Sequence, residues 1–337
     1  IEEEIGRGGQ GVVYRAIDTR VGRTVALKVL HALGPGSEEV LQRFQREARV
    51  ASRLDDPGIC TVYDTGTEGG IPYIAMRYVE GASVAQMIST CKERQGSESH
   101  STCVVLSDSE EEGGTAPPAA SATDTAREAA PGSCDVLEVA AFFEKVARSL
   151  HEAHEAGVIH RDVKPGNIML TPKGEPVIMD FGLARGEELD LQTLTRTGEF
   201  FGTPAYMSPE QLLAQRVKLD RRTDIWSLGV SLYECLTLKR PFEAPTREGL
   251  YQAIQTKEPP DPRTLNAAVP PDLRVVLETA LDKDRDRRYQ TALDFAEDLR
   301  RVREYEPIAA KPASAWIRLK RWAQRNPALA GSVSAGV

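Results

Sequence analysis

The feature that most constrains this chain is an eight-residue run, His160-Arg161-Asp162-Val163-Lys164-Pro165-Gly166-Asn167, with Asp180-Phe181-Gly182 shortly after it. Between them lie two short apolar strands, Ile168–Leu170 and Val177–Met179, joined at the turn Lys173-Gly174. Carboxylates, an amide, a Lys and an Arg set against apolar strands make poor packing, because a buried polar group costs free energy unless it is paired. These side chains must therefore converge on a shared polar site. Asp180 and Asn167 offer hard oxygen ligands suited to Mg²⁺, and Asp162 offers a carboxylate able to accept a hydroxyl proton.

The rest of the chain falls on two sides of this run. Residues 1–30 read as three strands, Ile1–Ile5, Val12–Asp18 and Thr24–Leu30. A helix follows, with Ser37 at its N-cap, acidic residues in its first turn, and an apolar stripe from Val40 to Leu54. Two further strands, near Ile59–Gly66 and Ile71–Val79, complete a small β-rich lobe over about residues 1–79. The pattern then turns helical. Asp135 caps a helix that closes at Gly157, and residues 222–238, 247–256, 272–281 and 290–303 read as further helices. The reading is a two-lobed α+β chain: a small antiparallel β lobe with one helix, and a large, mostly helical lobe over about 80–303.

Two constellations in the small lobe carry chemistry. Gly6-Arg7-Gly8-Gly9-Gln10-Gly11 leads into another strand rather than a helix, so a dinucleotide-binding reading fails its own context. A glycine-rich hairpin can instead fold over phosphates, because missing side chains let backbone N–H groups approach. Lys28 ends the apolar run Val25-Ala26-Leu27, and a lysine head in such a lobe needs an anionic partner. Glu47 lies on the helix face of Phe44, Ala48 and Ala51 and is the candidate partner.

Together these residues resemble a protein kinase catalytic domain, specifically the bacterial serine/threonine type related to eukaryotic kinases, over residues 1 to about 303. The resemblance implies that Gly6, Gly8 and Gly11 cover the phosphates of ATP, and that Lys28 holds them while pairing with Glu47. It places Val13, Ala26 and Met169 around the adenine, Met76 behind it, and the backbone of Arg77–Val79, Tyr78 included, at the hinge. Asp162 corresponds to the catalytic base, Lys164 to the γ-phosphate contact, and Asn167 and Asp180 to the Mg²⁺ ligands. Glu210, in Ser208-Pro209-Glu210, is implied to pair with Arg288, and Asp224 to brace the catalytic loop. Thr195 and Thr197 match threonines that bacterial relatives autophosphorylate, which implies activation by self-association, and Thr203 matches a substrate-docking residue. Lys164 two residues after Asp162 is the serine/threonine choice. The implied activity is transfer of the γ-phosphoryl group of Mg-ATP to Ser or Thr hydroxyls of proteins. The alternatives are a scaffold of the same fold that binds ATP without turnover, against which Lys28, Asp162 and Asp180 all stand, and a small-molecule kinase on a related fold.

Charge and composition limit what remains. The net charge is −8 and the pI near 5.4, which exclude a broad basic face for nucleic acid. The five cysteines have neither CxxC spacing nor companion histidines, so neither a zinc site nor a disulfide framework is expected, and a reducing, cytoplasmic setting is. An insertion over about 92–134 carries much of the acidity: residues 96–134 hold Glu98, Asp108, Glu110, Glu111, Glu112, Asp124 and Glu128 against Arg127 alone. With no aromatic, Ile or Met, it is expected to be disordered and to place nothing in the core. The chain opens in a strand-like run without an initiator Met and is read as part of a longer protein. Residues 304–337 form a tail in which Lys311, Arg318, Lys320, Arg321 and Arg325 interleave with Trp316, Ile317, Leu319 and Trp322 before a small, apolar end. That is how the cytoplasmic flank of a membrane span looks, so the expectation is a catalytic domain in the cytoplasm, anchored by a single span after residue 337.

Overall fold

In the computed structural model of the chain, the described residues are 1–8, 11–30, 52, 54–95, 104, 135–181, 204–213 and 219–311. Glu47, Thr195, Thr197 and Thr203, together with the expected helix over 38–54 apart from residues 52 and 54, lie outside them.

The small lobe is a five-stranded antiparallel sheet in the order β1-β2-β3-β5-β4. Its strands are β1 (Glu3–Gly8), β2 (Gly11–Asp18), β3 (Arg23–Leu30), β4 (Val62–Glu68) and β5 (Ile71–Arg77). Directly opposed residues share a face, as do residues two apart on one strand. Val13 opposes Lys28, and Ala26 opposes Met76. This register therefore puts Val13, Ala26, Lys28 and Met76 on one face of the sheet.

The large lobe opens with a small sheet of β6 (Ala82–Ser83), β7 (Ile168–Leu170) and β8 (Pro176–Ile178). Its helices are α1 (Val84–Gln95), α2 (Val136–Glu155), α3 (Pro209–Leu212), α4 (Arg222–Thr237), α5 (Arg247–Thr256), α6 (Pro271–Ala280) and α7 (Ala292–Arg303). Asp135 caps α2 by accepting from the Leu137 N–H, and Gly157 (φ 81°) closes it in the left-handed region where only glycine is unstrained. Helix α4 is buried on every side from Thr223 to Thr237, so it is the axis around which the lobe packs.

The end of α4 shows how a buried helix disposes of its last carbonyls, which have no partner within the helix. The Glu234 carbonyl accepts from Leu238 N–H at 2.7 Å, and the Leu236 carbonyl from Asn266 Nδ2 at 2.8 Å. The Cys235 carbonyl accepts from the Val104 N–H at 3.0 Å. Two expected boundaries change as a result. Residues 92–95 belong to α1 rather than to an unstructured insertion, and Val104, inside the insertion, is 1% exposed and part of the hydrophobic core. The tail also begins later than residue 304. Asp298 on α7 accepts from the N–H groups of Ala309 and Ala310 at 2.7 and 2.8 Å, and Ile308 packs on the core, so residues 304–310 are seated on the large lobe.

Candidate active site

The site is built upward from one buried carboxylate. Asp224, in the first turn of α4, is fully buried and accepts from three donors: the His160 N–H at 2.8 Å, the Arg161 N–H at 2.7 Å and His154 Nε2 at 2.8 Å. Burial opposes its ionisation, but His154 and His160 outweigh that and hold its carboxyl below the ordinary value. The clamp has a structural purpose. Arg161 has φ 64°, a left-handed conformation that costs a non-glycine residue of order 1–3 kcal/mol. Two backbone N–H groups tied to one carboxylate offset that strain and fix the next residue, Asp162.

His160 holds the loop from the other side. Its Nδ1 accepts from the Asp162 N–H at 3.2 Å, so Nε2 carries the proton and donates to the Met179 carbonyl at 2.8 Å. The ring lies 4.7 Å from that of Phe181, which is buried beneath it. Asp162 Oδ2 accepts from Lys164 Nζ at 2.8 Å and from Asn167 Nδ2 at 3.2 Å, and Asn167 Nδ2 also reaches the Asp162 carbonyl. Asp162, Lys164 and Asn167 thus stand together as the sequence led us to expect.

Lys28 joins the lobes. Buried at 7% exposure, its Nζ donates to Asp180 Oδ2 at 2.8 Å. The expected partner Glu47 lies outside the described residues, and the partner on view is Asp180. Burial raises the Asp180 carboxyl, but Lys28, and after it Lys164, bring it below its ordinary value. Its other oxygen, Oδ1, is buried and accepts no hydrogen bond from the described residues. A divalent cation fits there: Oδ1 is a hard, ionised ligand, and Asn167, whose amide nitrogen is committed to Asp162, has its carbonyl oxygen left to offer. Among the described residues no group of three or more His, Cys, Asp or Glu could hold a metal, so such a cation would also need oxygens from the nucleotide.

The glycines sort by what surrounds them. A Cβ on Gly11 would lie 2.1 Å from the Val29 carbonyl oxygen, so the sheet itself requires glycine there. Gly6 and Gly8 have open space where a Cβ would stand. Nothing in the described protein demands their glycine, which fits a cradle kept clear for a ligand. Gly6, Gly8, Gly11, Val13, Ala26 and Met76 line the small-lobe side, while half-buried Met169 on β7 belongs to the large lobe. Tyr78 follows β5 at the junction, with the Arg15 guanidinium 5.7 Å from its ring centre.

Below the catalytic loop, Glu210 and Arg288 form the expected pair, bidentate at 2.6 and 2.7 Å and almost wholly buried. Ser208 caps α3 in a reciprocal capping box with Gln211, whose Nε2 donates to the Arg161 carbonyl. Sequence reading passed over His154, one of two histidines in α2. Its only signal was a titratable residue on an otherwise apolar helix face.

An antiparallel small lobe tied by a Lys–Asp pair to a helical lobe, whose strained loop presents an aspartate beside a lysine, defines a two-lobed phosphoryl-transfer domain. The chain belongs to the protein kinase domain family, which it matches over residues 1–299. It is 34% identical over 314 residues to the probable serine/threonine-protein kinase SCO3848 of Streptomyces coelicolor, covering 92% of this chain and 40% of that protein. It is 36% identical over 308 residues to the serine/threonine-protein kinase PknB of Mycolicibacterium smegmatis, covering 90% and 42% respectively. The chain therefore spans about two fifths of the length of these relatives. Among solved structures, the Mycobacterium tuberculosis PknI kinase domain superposes with a TM-score of 0.61 at 25% identity, covering 88% of this chain and 93% of that one.

Proposed function

We propose that this chain is the catalytic domain of an ATP-dependent serine/threonine protein kinase. The observation that carries the reading is the Asp162–Lys164–Asn167 cluster set opposite the Lys28–Asp180 pair. Asp162, held by the Asp224 clamp, accepts the proton of the acceptor Ser or Thr hydroxyl as that oxygen attacks phosphorus. Lys164, 2.8 Å from the same carboxylate, neutralises charge gathering on the transferred group. Lys28 positions the α- and β-phosphates, Gly6, Gly8 and Gly11 admit them, and Val13, Ala26, Met76, Tyr78 and Met169 bound the adenine. A bound Mg²⁺, held by Asn167 and Asp180, would supply charge neutralisation at the phosphates.

The finer readings rest on sequence. Thr195 and Thr197 are the sites of autophosphorylation, reached by self-association. Protein substrates are the partners. The basic, Trp-containing stretch 311–325 adjoins a membrane, with the catalytic domain on the cytoplasmic side. Among the described residues no helix is long and apolar enough to cross a membrane.

The test is incubation of the purified chain with labelled ATP, Mg²⁺ and peptides differing only in Ser, Thr or Tyr as acceptor. Label on the Ser and Thr peptides supports the reading. Nucleotide binding without label on any protein or peptide points to a scaffold, and label on small molecules alone to the third class.

A further inference from the structure

The carboxylate of Glu234, near the end of α4, is 5% exposed, and both its oxygens are engaged by residues distant in sequence. Oε2 accepts from the Tyr206 hydroxyl at 2.5 Å, and Oε1 from Lys92 Nζ at 3.1 Å. Tyr206 sits two residues before the Ser208 cap, in the 3₁₀ turn Pro204–Tyr206, and its backbone carbonyl accepts from Ser227 Oγ at 2.8 Å. From there the chain runs through Ser208 and Gln211 to the Arg161 carbonyl of the catalytic loop. Burial, and then the Glu234 charge, push the Tyr206 phenol well above its ordinary value, so it remains a donor. Lys92 is the cation that compensates Glu234, and it lies in the last turn of α1, just before the acidic insertion. Within the insertion, the Val104 N–H caps the carbonyl of Cys235, the residue following Glu234. Lys92 and Val104 therefore bracket the start of the insertion and grip adjacent residues of one helix turn.

We infer that Lys92 is a positioning residue for the protein substrate: through Glu234 it fixes Tyr206 and the adjoining docking segment, and the anchor at Val104 ties the acidic insertion to that same turn. The inference rests on the kinase reading and adds to it a link from an insertion to substrate affinity. The glycines and Lys28 belong to the small lobe and Asp180 pairs with Lys28, whereas Lys92 and Glu234 lie on large-lobe helices, so the effect falls on peptide and not on nucleotide. Removing Lys92 leaves a buried carboxylate whose remaining hydrogen-bond donor among the described residues is a phenol, and Tyr206 loses its fixed acceptor.

The test compares wild type with Lys92→Met, Lys92→Arg, Tyr206→Phe and the double variant Lys92→Met/Tyr206→Phe, using a Ser peptide and Mg-ATP. Lys92→Met is expected to raise KM for the peptide roughly tenfold, within the range of coupling inside one hydrogen-bond network. KM for ATP stays within about twofold, Lys92→Arg restores most of the loss, and the double variant is little worse than Tyr206→Phe alone. Val104→Ala shifts peptide KM in the same direction by less. A second readout needs no catalysis: backbone amide exchange over residues 205–208 is faster in Lys92→Met than in wild type. Unchanged exchange together with unchanged peptide KM overturns the inference, as does an equal rise in both KM values. A wild-type chain that labels no peptide overturns the kinase reading itself.

Discussion

Replacing Asp224 by Asn removes one charge and swaps one acceptor for a donor at the base of the catalytic loop. The wild-type carboxylate takes His154 Nε2 and the His160 N–H on Oδ2, and the Arg161 N–H on Oδ1. Asn has one acceptor oxygen, and its better orientation keeps the two donors on that oxygen and turns the amide NH₂ toward Arg161. The Arg161 N–H then faces a donor. A hydrogen bond to a charged group contributes about 1.5–3 kcal/mol, so a stability loss of that size is expected in urea unfolding at pH 7. The lost bond is also the one that holds Arg161 at φ 64°. Once released, Arg161 relaxes toward negative φ and displaces Asp162, and a displacement near 1 Å costs on the order of 10²-fold in rate. We therefore expect kcat to fall about a hundredfold with ATP affinity unchanged. The pH dependence adds an independent check. Because the Asp224 carboxyl is held below its ordinary value in the fold, the unfolded chain takes up that proton first as pH falls. Its contribution is whole above about pH 4 and is lost as pH drops further toward its folded value. The stability gap between wild type and Asp224→Asn should close below that pH. A variant within about 0.5 kcal/mol of wild type with full turnover would refute the argument that Asp224 offsets the strain of the loop.

Other perturbations separate fold from function. Gly11→Ala forces a Cβ to within 2.1 Å of the Val29 carbonyl and should cost about 1–3 kcal/mol in thermal unfolding. Gly8→Ala has open space, so its melting should match wild type while nucleotide affinity, read by titration calorimetry, falls. Arg288→Leu strands the buried Glu210 carboxylate and should destabilise by about 3–5 kcal/mol in denaturant unfolding, with little refolded by added nucleotide. Deleting residues 96–134 removes the Val104 side chain from the core and its bond to Cys235, an expected loss of about 2–4 kcal/mol. Deleting only 105–134, which keeps that anchor, should change stability by under about 1 kcal/mol.

Much of the site was legible because its residues are close in sequence or sit on regular strands. Asp162, Lys164 and Asn167 lie on one short loop, and Lys28 stood out as a charge at the end of an apolar strand, while the place of Ala26 came from resemblance. The Glu210–Arg288 pair came from resemblance, since nothing local to either residue names the other. What escaped reading depends on tertiary partners. Lys92 reads as the first residue of a polar stretch until Glu234 is brought beside it. Val104 reads as a stray apolar residue in an acidic tract until the unpaired Cys235 carbonyl gives it a place. Residues 304–310 read as tail because no periodicity marks them, and their order comes from Asp298 accepting two of their N–H groups. The Lys28–Asp180 ion pair spans the two lobes, and nothing local to either residue names the other.

The central claim is that Asp162 receives the proton of a protein hydroxyl at a site that binds nucleotide through other residues. The direct measurement is phosphoryl transfer to a Ser peptide by Asp162→Asn, alongside its affinity for Mg-ATP. General-base catalysis contributes about 10²–10⁴-fold, so turnover should fall by that factor while nucleotide affinity stays within about threefold of wild type. Wild-type turnover in Asp162→Asn would contradict the account.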